Sequence, residues 1–216
     1  MQSYCIDCTA SLRAVAPPVK TRSTYRQEQA AATRVRIAEA ARRLFTAHGY
    51  GSTSIDAIAT EAGVAVRTVY SAFGTKRDIL SLVCEQWLEQ AQARERAQQV
   101  LADPDPVRRL RGAAGWLTHL YAAGFDVVTI FEGAMDEGPA TRELLRAKLA
   151  GRNQVMDAMI ASVGERLVVP LADAQAVFRA FAAAGVYQEL VVDQGWTPDR
   201  FEHWLADTLQ AQLLGD

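Results

Sequence analysis

Apolar residues recur at steps of three and four along most of this chain, which is the spacing of one face of an α-helix. The clearest example is a short run whose apolar positions share a face: Ile55, Ile58, Ala59 and Ala62. Thr53 or Ser54 can cap its first turn, and Gly63 suits a left-handed helix end. A second short helix is predicted over 65–71. Two short helices joined by so tight a turn indicate a helix–turn–helix.

A unit of this size cannot bury its own apolar faces, so it needs a helix before it and a larger body behind it. The segment 27–48 supplies the first of these and ends before Gly49. Its apolar stripe consists of Ile37, Ala40, Ala41, Leu44 and Phe45. We therefore predict a helix–turn–helix domain over 27–74, preceded by a disordered basic leader over 1–26.

The remainder of the chain, 75–216, also has helical periodicity and predicts a second, larger helical domain. The predicted helices cover 75–101, 104–123, 125–136, 139–166, 170–193 and 197–214. The segment 125–136 contains a Val-Val-Thr-Ile run that is compatible with a strand. Because no partner strand is predicted anywhere in the chain, we interpret it as helix. The predicted fold class is all-α.

The N-terminal pattern resembles the DNA-binding domain of the TetR family of bacterial transcription regulators. This resemblance implies an all-α homodimer that binds double-stranded DNA at a palindromic operator and represses transcription until a small-molecule effector binds its C-terminal domain. One departure is Ala65, where the family often has Ser, and this change removes one hydroxyl that could contact a phosphate. The resemblance is carried by Arg34, Ile37, Ala40, Ala41, Leu44, Phe45, Gly49, Thr53, Ile55, Ile58, Ala59, Ala62, Gly63, Val64, Thr68, Tyr70, Phe73, Lys76 and Leu80.

The charge distribution suits a protein that presents one end to a polyanion. Residues 1–77 contain eleven Lys and Arg against five Asp and Glu, whereas 78–216 contain twelve against twenty. Charged faces are often simply solvated, so this asymmetry supports DNA binding only together with the helix–turn–helix. The basic residues of 1–26 leave two alternatives open, a disordered leader or an arm that follows phosphates or enters the minor groove.

The residues predicted to face outward from the second short helix are Val66, Arg67, Thr68 and Tyr70. Arg67 is the candidate for base readout, because its fork can pair with the two acceptors that guanine shows in the major groove. Thr68 can touch a thymine methyl group or a phosphate. Arg34 could reach a phosphate from the first helix. The resemblance implies further phosphate contacts from Thr53, Tyr70 and Lys76.

The resemblance also implies that the two terminal helices, 170–193 and 197–214, form the homodimer interface, although ordinary core packing would give the same apolar pattern. A cavity for an apolar or aromatic effector is expected in the same domain. Aromatic residues, methionines and one histidine are the candidates to line it, and ordinary core packing is the alternative for each. They are Trp87, Trp116, His119, Phe125, Phe131, Met135, Met156, Met159 and Tyr187.

No catalytic residues, metal site or cofactor are predicted. The three histidines are scattered, and Cys5 with Cys8 has no second pair at zinc-site spacing. No apolar run is long enough to span a membrane, so we expect a cytoplasmic protein without a membrane partner. Three function classes remain: a repressor released by a small molecule, a DNA-binding regulator controlled by a protein partner, and an enzyme with an incidental helix–turn–helix. The first is the prediction and the second its main alternative.

Overall fold

A computed structural model describes residues 22–214, and all regular secondary structure within that range is helical. The predicted all-α fold class is confirmed. The predicted features of residues 1–21, including Cys5 and Cys8, lie outside the described residues. The helices are α1 (Arg22–His48), α2 (Ile55–Ala62), α3 (Val66–Phe73), α4 (Lys76–Gln90), α5 (Ala93–Ala102), α6 (Pro106–Ala122), α7 (Phe125–Ala134), α8 (Pro139–Ala161), α9 (Leu171–Phe181), α10 (Ala184–Tyr187) and α11 (Pro198–Leu213).

The helix–turn–helix is formed by α2 and α3 on the predicted signals. Ser54 caps α2, since its hydroxyl accepts the Ala57 N–H at 3.1 Å. Gly63 ends α2 in the left-handed region, with φ of 64°. Each of the two helices has only eight residues, too few to be stable alone in water. Both therefore pack on α1, whose buried stripe includes Ile37 and Phe45.

Two long predicted helices are interrupted in the structure. The prediction of one helix over 75–101 is wrong, because the chain turns at Gln92, a non-glycine residue with φ of 48° that separates α4 from α5. Two tertiary features lie at this break: the indole N–H of Trp116 on α6 donates to the Ala93 carbonyl at 2.8 Å, and Ala91 is buried. No glycine or proline marks this site in the sequence.

The prediction of one helix over 170–193 is also wrong. α9 ends at Phe181, and the chain continues through α10 and a π-helical turn, Gln188–Asp193. At this break the Ala182 carbonyl accepts the Tyr121 hydroxyl at 2.6 Å, so a side chain of α6 takes an acceptor that a continuous helix would use.

Other boundaries differ by a few residues. α1 begins at Arg22, inside the segment predicted as a leader, and α8 ends at Ala161 before a short 3-10 turn, Gly164–Arg166. The start of the last helix is confirmed: Thr197 caps α11, and Pro198 occupies its first position.

The body behind the helix–turn–helix is organised around α6. Its buried face, which includes Leu110 and Leu117, packs along α11 at Phe201, Leu205 and other apolar residues. A short α7 follows after Gly124 and is apolar on several sides, as a helix enclosed by others should be. Within residues 22–214 no helix is both long and apolar enough to cross a bilayer.

Candidate nucleic-acid interface and ligand cavity

α3 turns one face outward and one face inward. Val69 and Phe73 are buried against the rest of the domain, Val66 and Thr68 are half-buried, and Arg67 is exposed. Tyr70 is also exposed, with 55% of its surface accessible. The N-cap position is Ala65, which makes no side-chain hydrogen bond to the first turn of α3. The free N–H groups of that turn therefore lie beside the exposed face.

Arg34 holds α1 and α3 together. Its Nη1 donates to the Ala72 carbonyl at the end of α3, and its guanidinium lies 4.2 Å from the centre of the Phe73 ring. The side chain thus sets the position of α3 from behind. Nη1 of Arg34 is occupied by this bond, so the predicted phosphate contact would have to use the remaining guanidinium donors.

Thr53 is directed inward as well. Only 4% of its surface is exposed, and its hydroxyl donates to the Gly49 carbonyl at 2.8 Å, just after the end of α1. Ser54 occupies the cap of α2 instead. The predicted phosphate contact of the Thr53 side chain therefore has no geometric basis in this structure, because the hydroxyl is buried and already bonded.

Lys76 binds the loop between α1 and α2. Its Nζ donates to the Tyr50 carbonyl at 2.7 Å and to the Thr53 carbonyl at 3.0 Å, and it lies 4.3 Å from the centre of the Tyr50 ring. Burial lowers the pKa of Lys76, and the nearby Glu137 partly offsets this. Both carbonyls lie in the loop between α1 and α2, and no local sequence pattern identifies Lys76 as their donor.

A cavity of about 1320 Å³ lies between α4, α5, α6, α7 and α8. Four of the predicted cavity residues line it: Trp87, Trp116, Phe131 and Met135. The other five do not. Phe125 and Tyr187 belong to an aromatic cluster with Tyr121, Met156 and Met159 are fully buried core residues, and His119 borders a separate cavity of about 220 Å³.

Several cavity residues were missed by sequence reasoning. The buried thiol of Cys84 borders the cavity, and burial raises its pKa to about 11. The thiol is therefore protonated at neutral pH. Arg152 and Lys148 of α8 also line the cavity, and a charged residue on a long helix gives no pattern that would distinguish it from a solvated one.

α7 joins the cavity to the helix–turn–helix domain. Val128 and Phe131 of this helix lie on the cavity wall. In its first turn, the Asp126 carboxylate accepts Nε and Nη2 of Arg42 on α1 at 2.7 and 2.6 Å. Burial alone would raise the pKa of Asp126, but these bonds and the charge of Arg42 hold it below its usual value.

A second connection follows the other end of α7. The Glu137 carboxylate packs against Gly51, in the loop between α1 and α2. Burial and the nearby charge of Glu137 raise the pKa of Tyr50, which lies in the same loop. The segment that forms one wall of the cavity is thus attached to the helix–turn–helix domain at both ends.

Comparison with known proteins agrees with the N-terminal resemblance. Residues 37–83 match the family described as bacterial regulatory proteins, tetR family. No curated protein matches the sequence. The match confirms the TetR resemblance over these residues of the helix–turn–helix domain.

Solved structures of transcriptional regulators share most of the described fold. FadR from Bacillus subtilis, in complex with stearoyl-CoA, has 17% identity and a TM-score of 0.68, covering 82% of this chain and 98% of that chain. A regulator from Saccharomonospora viridis, in complex with choline, has 20% identity and a TM-score of 0.68, covering 85% and 98%. A TerR/AcrR-family regulator from Aquifex aeolicus VF5 has 17% identity and a TM-score of 0.66, covering 82% and 98%.

The bonds of Lys76 predict that this residue stabilises the domain. Lys76→Met should lower the free energy of unfolding by about 1–3 kcal/mol, because it removes a charged donor from partly buried carbonyls. Arg43→Met is the control, since Arg43 forms an exposed ion pair with Glu61 at 2.9 Å and its loss should cost little. Urea unfolding of the purified variants measures both.

A contrary result would restore the prediction made from the sequence. If Lys76→Met unfolds like the wild type but binds every DNA sequence more weakly, with a smaller salt dependence, then its ammonium contacts a phosphate.

Proposed function

We propose that this chain is a repressor that binds a palindromic operator as a homodimer and leaves it when a small apolar or aromatic ligand enters the cavity between α4 and α8. The observation that carries this proposal is the position of α7, which forms part of the cavity wall and is attached at both ends to the helix–turn–helix domain. The TetR match over residues 37–83 supports the DNA-binding half.

On the DNA side, the exposed residues of α3 divide into two roles. Arg67 has the reach and the paired donors to distinguish guanine from the other bases in a major groove. Tyr70 can donate its exposed hydroxyl to a phosphate, which carries no base identity. Val66 offers no hydrogen bond and Thr68 is short, so both can add contacts with thymine methyl groups but little further discrimination.

On the ligand side, the cavity favours a small molecule over a protein partner as the controlling agent. Its volume exceeds the roughly 300–1,000 Å³ of common ligand sites, and aromatic and aliphatic residues form much of its wall. The similar regulators carry stearoyl-CoA in one case and choline in another, which differ in size and charge. The fold therefore accommodates ligands of several kinds, and the side chains of each cavity select among them.

Control of DNA binding requires that the ligand bind two conformations with different affinities. A ligand that displaces Val128 or Phe131 would displace α7, and with it Asp126 and the segment before Glu137. Arg42 and the loop at Gly51 would then follow, changing the orientation of the helix–turn–helix domain. A change of this kind in each protomer would separate the two α3 helices from adjacent major grooves.

The homodimer is proposed to form through α9, α10 and α11. A two-fold operator requires a two-fold protein. Three of the large apolar side chains that are exposed in the single chain lie in or beside these helices: Val168, Leu171 and Val192, with 62%, 46% and 53% of their surfaces accessible. Burial in a dimer would remove this apolar surface from water.

Arg67→Ala should weaken operator binding by about 1–3 kcal/mol and relax the preference at one base pair in each half-site. Tyr70→Phe should instead weaken all sequences by a similar factor, because its partner is a phosphate. Selection from random DNA, followed by titration of the selected sites, measures both effects. An unchanged preference at every position in Arg67→Ala would make Arg67 a backbone contact and would move base readout elsewhere.

Asp126→Asn should loosen the helix–turn–helix domain specifically. Amide hydrogen exchange should accelerate in α1 and α2 but not in α6 and α11, since the Arg42–Asp126 pair joins the domains. Asp207→Asn is the control, because Asp207 pairs with Arg111 between α6 and α11. Equal acceleration throughout the chain would show that the pair contributes only global stability.

The same pair should give a pH dependence of defined sign. The folded pKa of Asp126 is depressed, so its stabilisation is present above the unfolded value of about 3.9 and is lost as the pH falls through the folded value. The difference in unfolding free energy between wild type and Asp126→Asn should therefore be constant near neutral pH and shrink below about pH 4.

Leu171→Asp should reduce the dimer fraction, because it places a charge in the proposed apolar interface. Val35→Asp, at an exposed apolar residue of α1, is the matched control and should leave the association state unchanged. Sedimentation equilibrium across a concentration series distinguishes the two. Equal dimerisation of both variants would contradict the proposed interface at Leu171.

A further inference from the structure

One cation on the cavity wall lacks an acidic partner. Arg152 of α8 is half-buried, and its Nη1 donates to the Tyr121 hydroxyl oxygen at 2.9 Å while Nη2 donates to Asn153 Oδ1 at 3.3 Å. Its Nε is buried and has no hydrogen-bond partner among the described residues. None of the ion pairs formed within residues 22–214 includes Arg152.

The contact with Tyr121 fixes the guanidinium without neutralising it. Tyr121 is fully buried and donates its own proton to the Ala182 carbonyl, so its oxygen is oriented to accept from Arg152. The rings of Phe125 and Tyr187 lie 5.5 and 5.1 Å from the Tyr121 ring and hold it in place. A guanidinium has five N–H donors, and these bonds leave donors available beside the cavity.

The acidic residues of the wall form no ion pair with Arg152, and two of them, Glu89 and Glu95, are exposed to water. Lys148 pairs with Glu85 at 3.3 Å, and Arg94 is exposed to water. Glu132 also borders the cavity but is exposed and makes no ion pair with Arg152. A half-buried positive charge beside apolar side chains is unfavourable until an anion pairs with it.

We propose that the effector is an amphipathic molecule with one carboxylate, which pairs with Arg152 while its apolar body lies against the cavity residues Leu145, Val155 and Phe131. This inference rests on the proposed function, since it assigns a chemical class to the ligand of that cavity. The arginine fork matches the two oxygens of a carboxylate. Arg152 contributes one positive charge, which suits one negative charge better than a phosphate monoester, which carries nearly two.

The test is calorimetric titration of the full-length protein with three probes of equal chain length: dodecanoate, dodecanol and dodecyltrimethylammonium. The wild type should bind dodecanoate at least about tenfold more tightly than dodecanol, as expected for charge-assisted hydrogen bonds. Arg152→Gln should lose this preference and keep its affinity for dodecanol. Arg152→Lys should retain only part of it, because an ammonium cannot form the two parallel bonds.

Arg146→Gln is the matched control. Arg146 lies on the same helix but is exposed and does not line the cavity, so its loss should leave all three affinities unchanged. Thermal unfolding of each variant checks that Arg152→Gln is folded, and Arg152→Lys provides the comparison if that variant is destabilised.

The outcomes separate this inference from the proposed function. Equal binding of dodecanoate and dodecanol by the wild type, a preference for the ammonium probe, or no binding of any probe would each overturn the role of Arg152. None of these results would affect operator binding, which is measured separately by DNA selection. Conversely, selective dodecanoate binding by a protein that binds no DNA would support the site while refuting the repressor.

Discussion

The helices α2 and α3 cannot bury their own apolar faces, and this constraint sets the arrangement of the helices around them. Each has eight residues, so neither is stable until a longer helix covers it. α1 supplies that cover with Ile37 and Phe45, and at 27 residues it is long enough to contact the body as well. One side of its C-terminal half therefore completes the helix–turn–helix, while Arg42 meets Asp126 of α7. The same helix makes the DNA-binding domain stable and ties it to the cavity.

Helix α7 has the corresponding linking role in the body, because it contacts α1 on one side and the cavity on the other. Gly124, before its first turn, allows close approach, because a Cβ there would come within 2.8 Å of Arg42 Nη2 and within 2.6 Å of Trp87. Trp87 in turn donates its indole N–H to the Leu120 carbonyl at 2.9 Å and lies on the cavity wall. Packing this tight transmits displacement, since close-packed groups cannot move independently. The proposed control by a ligand therefore has a physical basis in the two sides of α7. One side is tightly packed against its neighbours, and the other borders the open cavity.

The basic residues of the N-terminal domain have more than one task. Arg67 is directed outward, whereas the side chains of Arg34 and Lys76 contact carbonyl groups and aromatic rings inside the domain. The proposed base readout needs both kinds, because the reading helix must be held rigidly. A count of basic residues along the sequence includes those directed outward and those with contacts inside the domain, and it cannot distinguish them. Arg152 lies in the acidic body instead, and its proposed role follows from its position on the wall of a largely apolar cavity.

The helix–turn–helix could be predicted from the residues because its signals are local: the cap at Ser54, the glycine at position 63 and the apolar spacing of α2 act within a few residues. The sequence also determined the all-α fold class and the start of α11 at Thr197. The ends of α4 and α9 could not be predicted in this way, since the Trp116 and Tyr121 side chains that bond near those breaks belong to α6. Only the tertiary structure decided that Trp87 and Phe131 line a cavity whereas Met156 and Met159 fill the core. A cavity is a gap between the faces of several helices, and the periodicity of one helix is the same whether its neighbour touches it or stands apart.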